Sequence, residues 1–414
     1  MLLQEKKSNL DKIERYIDIK TLVLTIVLVS IGLVVLYSGT ATFDSKLTFF
    51  NKQILSALIG LAFMAIFAFL PTYVLKASVP IVYGVSIAIL IVVLKFGTSA
   101  HGTQGWLNIG SFTFQPAELA KVAVLLFLAK HLSKYTTNVG NIMDIFVMLL
   151  IVLVPFGLIL LQPDFGSAII LVMIFLGVLF WAGFDGYYLY LIFAMLLTGV
   201  VALKSTNLFI SIAILLSIIL IVFRKKIYMY ILGVLLIVGV GILSPFVYNN
   251  VLASHQQARI NVFLNPGSDP QGIGYNVLQS LLAVGSGGIG GKGYLQGTLT
   301  QLRYVPMQWS DFIFSIPAEE FGLLGSTALI ILLLLMVYRA GIIASLCKDK
   351  FYSVLAFGTA TMFLFHIFVN IGMVIGIFPV MGIPLPFISQ GGTSLIINMS
   401  LAGLLMNAYR STKK

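Results

Sequence analysis

The chain has 414 residues, of which 59% are hydrophobic and 9% charged, and its 25 Lys and Arg outnumber its 14 Asp and Glu. Repeated apolar runs of about 17 to 25 residues are typical of membrane-spanning helices, because lipid admits only segments that satisfy their own backbone hydrogen bonds. The sequence therefore excludes a soluble protein. The usual excess of Lys and Arg in cytoplasmic loops explains the basic balance without a nucleic-acid partner.

Hydropathy predicts twelve spanning helices and therefore an all-α polytopic membrane protein, with one integral membrane domain over residues 1–414. The first apolar run follows a charged leader and lacks a small-residue cleavage site, which indicates a retained helix rather than a signal peptide. The predicted helices lie near residues 17–38, 53–70, 78–96, 116–132, 145–161, 167–183, 187–203, 208–223, 228–247, 321–338, 352–376 and 391–409. The segment of about 248–320 is too polar and too rich in Gly and Pro to span, so it is predicted to be a large loop outside the hydrocarbon.

The distribution of basic residues sets the orientation. With the N-terminus in the cytoplasm, most Lys and Arg fall in cytoplasmic segments, among them the cluster 224–226. This predicts a protein of the cytoplasmic (inner) membrane with both termini cytoplasmic and the 248–320 loop extracytoplasmic. The orientation depends on the helices 187–203 and 208–223, because loss of either span would move the loop to the other side.

Four shorter irregular segments are predicted on the same side of the membrane as the long loop. They are residues 39–52, 97–115, 162–166 and 377–392, each with a distinctive short sequence. Polar segments rich in Gly and Pro that converge on one face are what a site for a substrate on that face would need.

Glu118 and Lys121 place two charges inside an otherwise apolar predicted helix, which Pro116 opens at its first position. Residues three apart lie on one face of a helix, so the two side chains can pair. Ionisable residues at this depth usually face the bundle interior or a water-filled cavity, which makes them candidates for function. The alternative is a self-neutralising pair with a structural role.

Three other carboxylates lie just before predicted helices. Asp164 is in a tight turn, where a carboxylate commonly caps the following helix, and we interpret it as structural. Glu319 and Glu320 precede helix 321–338, where the helix dipole favours negative charge. These two residues are consistent with either a structural or a functional role.

Asp269 is the main candidate for catalysis. It lies in NPGSDPQGIG at 265–274, where Pro and Gly fix an exposed turn that presents the carboxylate. An Asp-Pro step is also ordinary turn chemistry, so the residue alone does not decide between the two roles. Arg259 precedes it in the same loop, and Lys292 and Asp311 follow it, so several charges accompany the candidate base.

The glycine-rich run GSGGIGGKG at 285–293 could let backbone N–H groups approach an anion. It lacks the spacing and the terminal Lys-Ser/Thr of a nucleotide-binding loop, so ATP and GTP are excluded as cofactors. The single Cys347 excludes an intramolecular disulfide and offers no metal-site spacing.

Six motifs occur in an order that closely resembles the SEDS family, named for shape, elongation, division and sporulation. They are QPAELAK at 115–121, QPDFG at 162–166, QARI…FLNPGSDPQGIGYNVLQS at 257–280, GSGGIGGKGYLQGT at 285–298, DFIF at 311–314 and NIGMVIGIFPVMGIPLPFISQGGTS at 370–394. The resemblance covers nearly the whole chain and is greater to the RodA-like, rod-shape branch than to the division branch. Family members usually have a core of ten spans, which implies that 187–223 is an inserted helix pair.

The resemblance implies a peptidoglycan glycosyltransferase that polymerises lipid II into glycan strands at the outer face of the membrane during elongation and shape maintenance. The implied partners are lipid II, the nascent glycan strand, membrane lipids and a class B penicillin-binding transpeptidase. The family's essential loop aspartate falls on Asp269, its loop arginine on Arg259 and its fourth-helix lysine on Lys121. The further residues predicted to bind substrate are Glu118, Lys292, Trp106, Gln115, Gln279, Ser280, Asp311 and Ser389.

The chain departs from the family pattern at three places. The usual Gly-x-Lys/Arg-Arg-Trp is GTQGW at 102–106, which argues against an anion-binding role for that segment. Two usual tyrosines are replaced by His255 and Gln390. None of these changes touches the aspartate, the arginine or the lysine named above.

The implied reaction transfers a growing glycan from its polyprenyl diphosphate to the 4-hydroxyl of a second lipid-linked disaccharide. Because the donor linkage is α and the product β, we expect one inverting displacement with a single base, and Asp269 is the predicted base. The diphosphate leaving group needs charge neutralisation, which Lys121, Arg259, Lys292 or a divalent cation such as Mg²⁺ or Mn²⁺ would supply. Two other functions stay open, a lipid II flippase and a non-catalytic scaffold for cell-wall enzymes.

Overall fold

The computed structural model describes residues 17–43, 46–100, 103–110, 112–134, 136–137, 139–251, 254–265, 267, 269 and 272–413. The chain divides into two compact units. The large unit comprises Met1–Ala182 and Asn276–Lys414, and the small unit is Gly183–Tyr275.

The large unit is built mainly from long helices. These are Ile19–Thr40, Lys46–Phe69, Thr72–Phe96, Pro116–Leu132, Ile142–Leu160, Phe165–Trp181, Gly322–Leu346, Lys350–Val374 and Gly392–Thr412. Two short helices, Thr298–Gln301 and Ser315–Glu320, precede Gly322–Leu346. The helix Ile273–Ser286 begins in the small unit and continues in the large unit.

The small unit contains the helices Gly186–Lys204, Thr206–Ile219, Ile227–Asn250 and Ser254–Leu264, with a 3₁₀ turn at Leu220–Phe223. Its core is the apolar cluster of Tyr187, Leu191, Ala194, Phe209, Ala213, Leu216, Leu220 and Ile237. Buried hydroxyls add hydrogen bonds between the helices, such as that from Tyr187 to the Met229 carbonyl at 2.6 Å. The predicted pair 187–203 and 208–223 is therefore helical and packed.

Each predicted span coincides with a helix of the structure, although several helices begin earlier or end later than hydropathy indicated. Lys46–Phe69 and Thr72–Phe96, for example, start with polar or charged turns that a hydropathy window leaves out. Within the described residues, nine helices are long and apolar enough to cross a membrane. The fold class of a multi-pass helical membrane protein is confirmed, and the count of twelve spans stays a prediction.

Pro116–Leu132, Phe165–Trp181 and Gly392–Thr412 are the predicted spans outside that set of nine. The first and third are buried along most of their length, so they contact protein rather than lipid and need no uniformly apolar surface. Close packing accompanies this burial. A Cβ atom at Gly403 would collide with the backbone of Met64, so glycine at this position lets the helices Gly392–Thr412 and Lys46–Phe69 approach each other closely.

The segment 97–115 was expected to be irregular, and that expectation is wrong. It forms an antiparallel sheet of three strands, β1 Thr98–Ala100, β2 Thr103–Ile109 and β3 Phe112–Phe114. Leu107 pairs with Phe114, and Gly110 adopts a positive φ of 63° in the tight turn between β2 and β3. The sequence carries no clear strand signal, because β1 and β3 have three residues each and β2, TQGWLNI, does not alternate apolar and polar residues.

The 248–320 segment is also more ordered than a single polar loop. It contains Ser254–Leu264, Ile273–Ser286, Thr298–Gln301 and Ser315–Glu320. These helices are short or amphipathic, which is why hydropathy did not separate them from the connecting turns.

Candidate functional site

A buried group of charges lies near the start of helix Pro116–Leu132. Lys121 donates to Glu118 over 2.7 Å, and the two side chains are each about 2% exposed. Lys121 Nζ also lies 3.2 Å from His366 Nε2 on helix Lys350–Val374. His366 Nδ1 is 2.7 Å from the Met362 carbonyl, an acceptor, so Nδ1 carries the proton and Nε2 accepts from Lys121. The predicted pairing of Glu118 with Lys121 is confirmed.

This group is incompletely satisfied within the protein. Glu118 Oε2 is buried and accepts no hydrogen bond from any residue that the structure describes. A purely structural buried pair normally satisfies its remaining lone pairs, because an unpaired buried acceptor costs about 1–3 kcal/mol. The open carboxylate oxygen therefore favours a site that takes up a further polar group. His366, which our sequence reading did not single out, was detectable as an isolated ionisable residue in an apolar span.

Gln115 and Asp164 lie together at the heads of two helices. Asp164 Oδ1 accepts from the Ser167 backbone N–H at 2.9 Å, which confirms its predicted role as a helix cap. Its other oxygen accepts from Gln115 Nε2 at 3.0 Å. The Gln115 backbone N–H in turn donates to the Thr393 hydroxyl at 3.2 Å. Gln115 thus connects the starts of three helices, which is a structural role whatever it contributes to substrate binding.

Asp311 and Ser389 lie in a polar junction between the DFIF segment and the motif at 370–394. Asn370 Nδ2 donates to the Asp311 carbonyl at 2.9 Å and to the Ile383 carbonyl at 2.7 Å. The Ser389 hydroxyl donates to the Ser310 carbonyl at 2.7 Å and accepts from the Leu385 N–H. The Ser389 hydroxyl is therefore engaged within the protein, and the junction holds Asp311 against the motif.

Lys292 forms an ion pair with the buried Glu319. Its Nζ lies 2.7 Å from Glu319 Oε1, and it also donates to the Thr298 hydroxyl at 2.7 Å. The same carboxylate accepts from the backbone N–H groups of Leu299 and Thr300, each at 2.9 Å. Burial raises the pKa of Glu319, but these hydrogen bonds outweigh burial and hold the pKa below its ordinary value. Lys292 thus stabilises the packing of the 292–300 turn against Ser315–Glu320.

The neighbouring Glu320 has a different environment. It accepts hydrogen bonds from Ser38 and Gln301, while its Oε2 has no hydrogen-bond partner among the described residues. Burial raises the pKa of Glu320 above its ordinary value and outweighs the opposing effect of the Ser38 and Gln301 side chains and of the nearby Leu295 backbone N–H. Glu319 and Glu320 were expected in the first turn of the following helix, but they are the last two residues of Ser315–Glu320. Their main interactions are hydrogen bonds that stabilise the folded loop, not an interaction with a helix dipole.

The expected role of the glycine run in approaching an anion is wrong for its last two residues. The backbone N–H groups of Lys292 and Gly293 donate to the carbonyls of Glu319 and Glu320, at 3.1 and 2.9 Å. Gly291 has a positive φ of 79°, and a Cβ atom there would collide with the backbone of Glu320. Glycine is needed in this part of the run because two backbone segments pack against each other.

The remaining predicted residues of the large unit are Ser280, Gln279 and Trp106, and they have different environments. The buried Ser280 hydroxyl donates to the carbonyls of Val277 and Val374, at 2.8 and 2.9 Å. Gln279 is partly buried on the helix Ile273–Ser286. Trp106 lies on β2 opposite Thr98, and its buried Nε1 has no hydrogen-bond acceptor within the described part of the chain. That free donor fits a role in binding, whereas Ser280 is engaged between helices.

Asp269 and Arg259 belong to the small unit. Asp269 is partly exposed, and its Oδ1 accepts from the Gly272 backbone N–H at 2.9 Å, just before helix Ile273–Ser286 begins. The carboxylate therefore stabilises its own turn while remaining accessible. Arg259 lies on Ser254–Leu264, and its side chain is outside what the structure describes. That helix is joined to the end of Ile227–Asn250 by a 2.6 Å hydrogen bond from Tyr248 to Asn261.

Comparisons with known proteins give relatives over nearly the full length. The model of the FtsW/RodA/SpoVE family, described as "Cell cycle protein", matches residues 19–213 and 185–414. Peptidoglycan glycosyltransferase MrdB of Escherichia coli (strain K12) is 31% identical over 408 residues, covering 99% of this chain and 97% of MrdB. Peptidoglycan glycosyltransferase RodA of Treponema pallidum (strain Nichols) is 32% identical, covering 94% and 96%. A chain of a solved structure described as "Structural coordination of polymerization and crosslinking by a peptidoglycan synthase complex" is similar with a TM-score of 0.72 and 27% identity, covering 96% and 98%.

Proposed function

The chain belongs to the FtsW/RodA/SpoVE family, and we propose that it is a peptidoglycan glycosyltransferase that polymerises lipid II during cell elongation and shape maintenance. The activity in the names of its relatives supports this proposal. The observation in this chain that carries it is the buried group of Glu118, Lys121 and His366, whose unsatisfied carboxylate oxygen favours a binding role over a purely structural one.

Asp269 is the proposed general base. It takes the proton from the acceptor 4-hydroxyl as that oxygen attacks the anomeric carbon of the donor and the bond to the diphosphate breaks. Its partial exposure and its position in a turn fixed by the bond to Gly272 suit a carboxylate that must meet a large substrate. A base held by a hydrogen bond within its own turn keeps a defined orientation toward the substrate.

Lys121 and Arg259 are the proposed positive charges for the diphosphate leaving group. Lys292 was a candidate for the same role. Its partner Glu319 is hydrogen-bonded through both carboxylate oxygens, whereas Glu118 beside Lys121 keeps one oxygen unsatisfied, so we assign Lys292 to stabilising the loop. A divalent cation would supply further charge if one were bound. No three His, Cys, Asp or Glu side chains cluster as metal ligands in the described residues, so we derive no step through a metal.

The proposed setting is the cytoplasmic membrane, with both termini inside and the 248–320 segment outside. This topology rests on the basic residues of the predicted inner segments. A class B penicillin-binding transpeptidase is the proposed partner, and the likeness to a chain of a complex that couples polymerisation and crosslinking supports it.

Polymerisation of purified lipid II tests the proposal. The purified chain, alone and with its transpeptidase, should convert lipid II into glycan strands that a gel resolves by length. A flippase would deliver lipid II across a vesicle membrane without making strands unless a separate polymerase were added. A scaffold would do neither, so absence of strands in the presence of the partner would contradict the proposed function.

A further inference from the structure

A cavity of about 450 Å³ opens in the small unit at the turn that joins Leu220–Phe223 to Ile227–Asn250. Its polar lining consists of Tyr187, Arg224, Lys225 and Tyr230, and its apolar lining includes Ile221 and Ile227. The cavity lies at the first turn of Ile227–Asn250, whereas the segment that carries Asp269 follows the other end of that helix. A helix of 24 residues is about 36 Å long, so the two ends lie near opposite faces of a bilayer.

Two of the polar groups that line the cavity are already engaged within the protein. Lys225 forms an ion pair with Asp185, which also caps the helix Gly186–Lys204 through the Tyr187 backbone N–H. The Tyr187 hydroxyl donates to the Met229 carbonyl. These contacts fix the shape of the cavity. The other two polar side chains, Arg224 and Tyr230, are not used in this way.

Arg224 and Tyr230 carry the remaining donors. The Arg224 side chain is exposed and forms no ion pair or hydrogen bond with the described part of the chain, nor does the Tyr230 hydroxyl. Arg224 has a positive φ of 49°, which is uncommon for a residue with a side chain. A guanidinium with a neighbouring phenol donor is a suitable pair for a phosphate group. The adjoining helix N-terminus at Ile227 adds a favourable dipole for an anion.

Apolar side chains surround these donors. Ile221 and Ile227, which line the cavity, are 60% and 72% exposed, and the adjacent Val222 is 74% exposed. A soluble phosphate needs no such apolar wall, whereas the acyl chains of a phospholipid would cover it. We infer that this cavity binds the headgroup of an anionic phospholipid, with the phosphate at Arg224 and Tyr230 and the acyl chains along Ile221 and Ile227. In the proposed topology the lipid belongs to the inner leaflet, where basic residues at helix ends attract anionic lipid.

Lipid binding to the purified full-length chain in detergent tests the site, with phosphatidylglycerol and phosphatidylcholine of the same acyl chains as probes. Native mass spectrometry should show phosphatidylglycerol retained in preference to phosphatidylcholine, and added inorganic phosphate should not displace it. Arg224→Gln should weaken phosphatidylglycerol binding about fivefold or more, since one interfacial basic residue contributes about that factor. Tyr230→Phe should weaken it by a smaller factor.

Lys226→Gln is the matched control, because Lys226 is exposed in the same turn and does not line the cavity. Equal loss of binding in Lys226→Gln and Arg224→Gln would mean diffuse attraction to basic charge and would overturn the site. Displacement of phosphatidylglycerol by inorganic phosphate, or equal retention of both lipids, would also overturn it. If Arg224→Gln unfolds, Tyr230→Phe decides, and binding at the wild-type level in that variant would contradict the inference.

Discussion

The two charged regions proposed to act in catalysis differ in how tightly the fold holds them. Lys121 is 1% exposed and is bound by Glu118 on its own helix and by His366 on another. Asp269 is partly exposed and accepts a hydrogen bond from the backbone of its own turn. Substitution at Lys121 therefore disturbs stability and activity together, whereas substitution at Asp269 can separate them. The comparison shows that loss of activity alone does not identify a catalytic residue.

The largest effect is expected for Lys121→Met. The substitution leaves the buried Glu118 carboxylate without its cation, and breaking a buried pair in this way costs about 3–5 kcal/mol in the free energy of unfolding. The double variant Glu118→Gln/Lys121→Met should recover most of that stability, because no uncompensated charge remains. Neither variant should polymerise lipid II. Thermal unfolding in detergent measures the stability of each variant, and synthesis of glycan strands from lipid II measures its activity.

Arg339→Met is the matched control for that pair. Arg339 binds the buried Asp18 at 2.7 Å in the same unit, in a region to which we assign no part in the reaction. It should be destabilised to a similar degree yet retain polymerisation per folded molecule. Polymerisation near the wild-type rate by the stabilised double variant would refute the role of Lys121 in binding the leaving group.

Glu319→Gln should have an intermediate effect. It removes the negative charge that accepts from Lys292, Leu299 and Thr300, and hydrogen bonds to charged groups contribute about 1.5–3 kcal/mol. Glu320→Gln should cost less, because the raised pKa of Glu320 means that the fold favours its neutral form. A larger loss of thermal stability in Glu320→Gln than in Glu319→Gln would contradict this difference between the neighbours.

The stability of the protein should depend on pH through Glu319. The pKa of Glu319 is lower in the folded protein than in the unfolded chain, so its contribution is present above the unfolded value of about 4.3 and is lost as the pH falls through the folded value. As the pH falls, the stability of Glu319→Gln should therefore decrease less than that of the wild-type protein. Thermal unfolding of both proteins between neutral and acidic pH measures this, and parallel curves would show that Glu319 does not contribute.

A smaller effect is expected at the glycine run. Gly291→Ala places a side chain at positive φ against the backbone of Glu320, and the backbone conformation alone costs about 1–2 kcal/mol. Gly290→Ala is the matched control, since a Cβ atom there meets nothing within 4 Å. Thermal unfolding should separate the two variants. Equal stability would mean that the run does not need glycine for packing.

The sequence predicted those features that depend on local physics. Hydropathy located the long helices because lipid requires apolar segments, and the spacing of Glu118 and Lys121 predicted their pairing because a helix brings such residues to one face. Asp164 was predicted as a cap from its place before a helix, and it caps Phe165–Trp181. Each of these inferences needed only residues close together in the chain.

The features that were missed depend on contacts between distant segments. His366 meets Lys121 across two helices that are far apart in the sequence, and Lys292 meets Glu319 only after the loop has folded back. Both members of the second pair had been noted as isolated charges, but nothing in the sequence joined them. The glycine run was considered able to approach an anion for the same reason, because its packing partner Glu320 is not indicated by any local pattern.

Asp269→Asn tests the central claim most directly. The amide keeps an oxygen that can accept from the Gly272 N–H, so the turn should survive and stability should change by no more than about 0.5 kcal/mol. It cannot act as a base, and loss of a positioned base typically costs about 10²–10⁴-fold in rate. Purified Asp269→Asn, supplied with lipid II and the transpeptidase, should bind its partner and make almost no glycan strands. Polymerisation by this folded variant at close to the wild-type rate would contradict the assignment of Asp269 as the base.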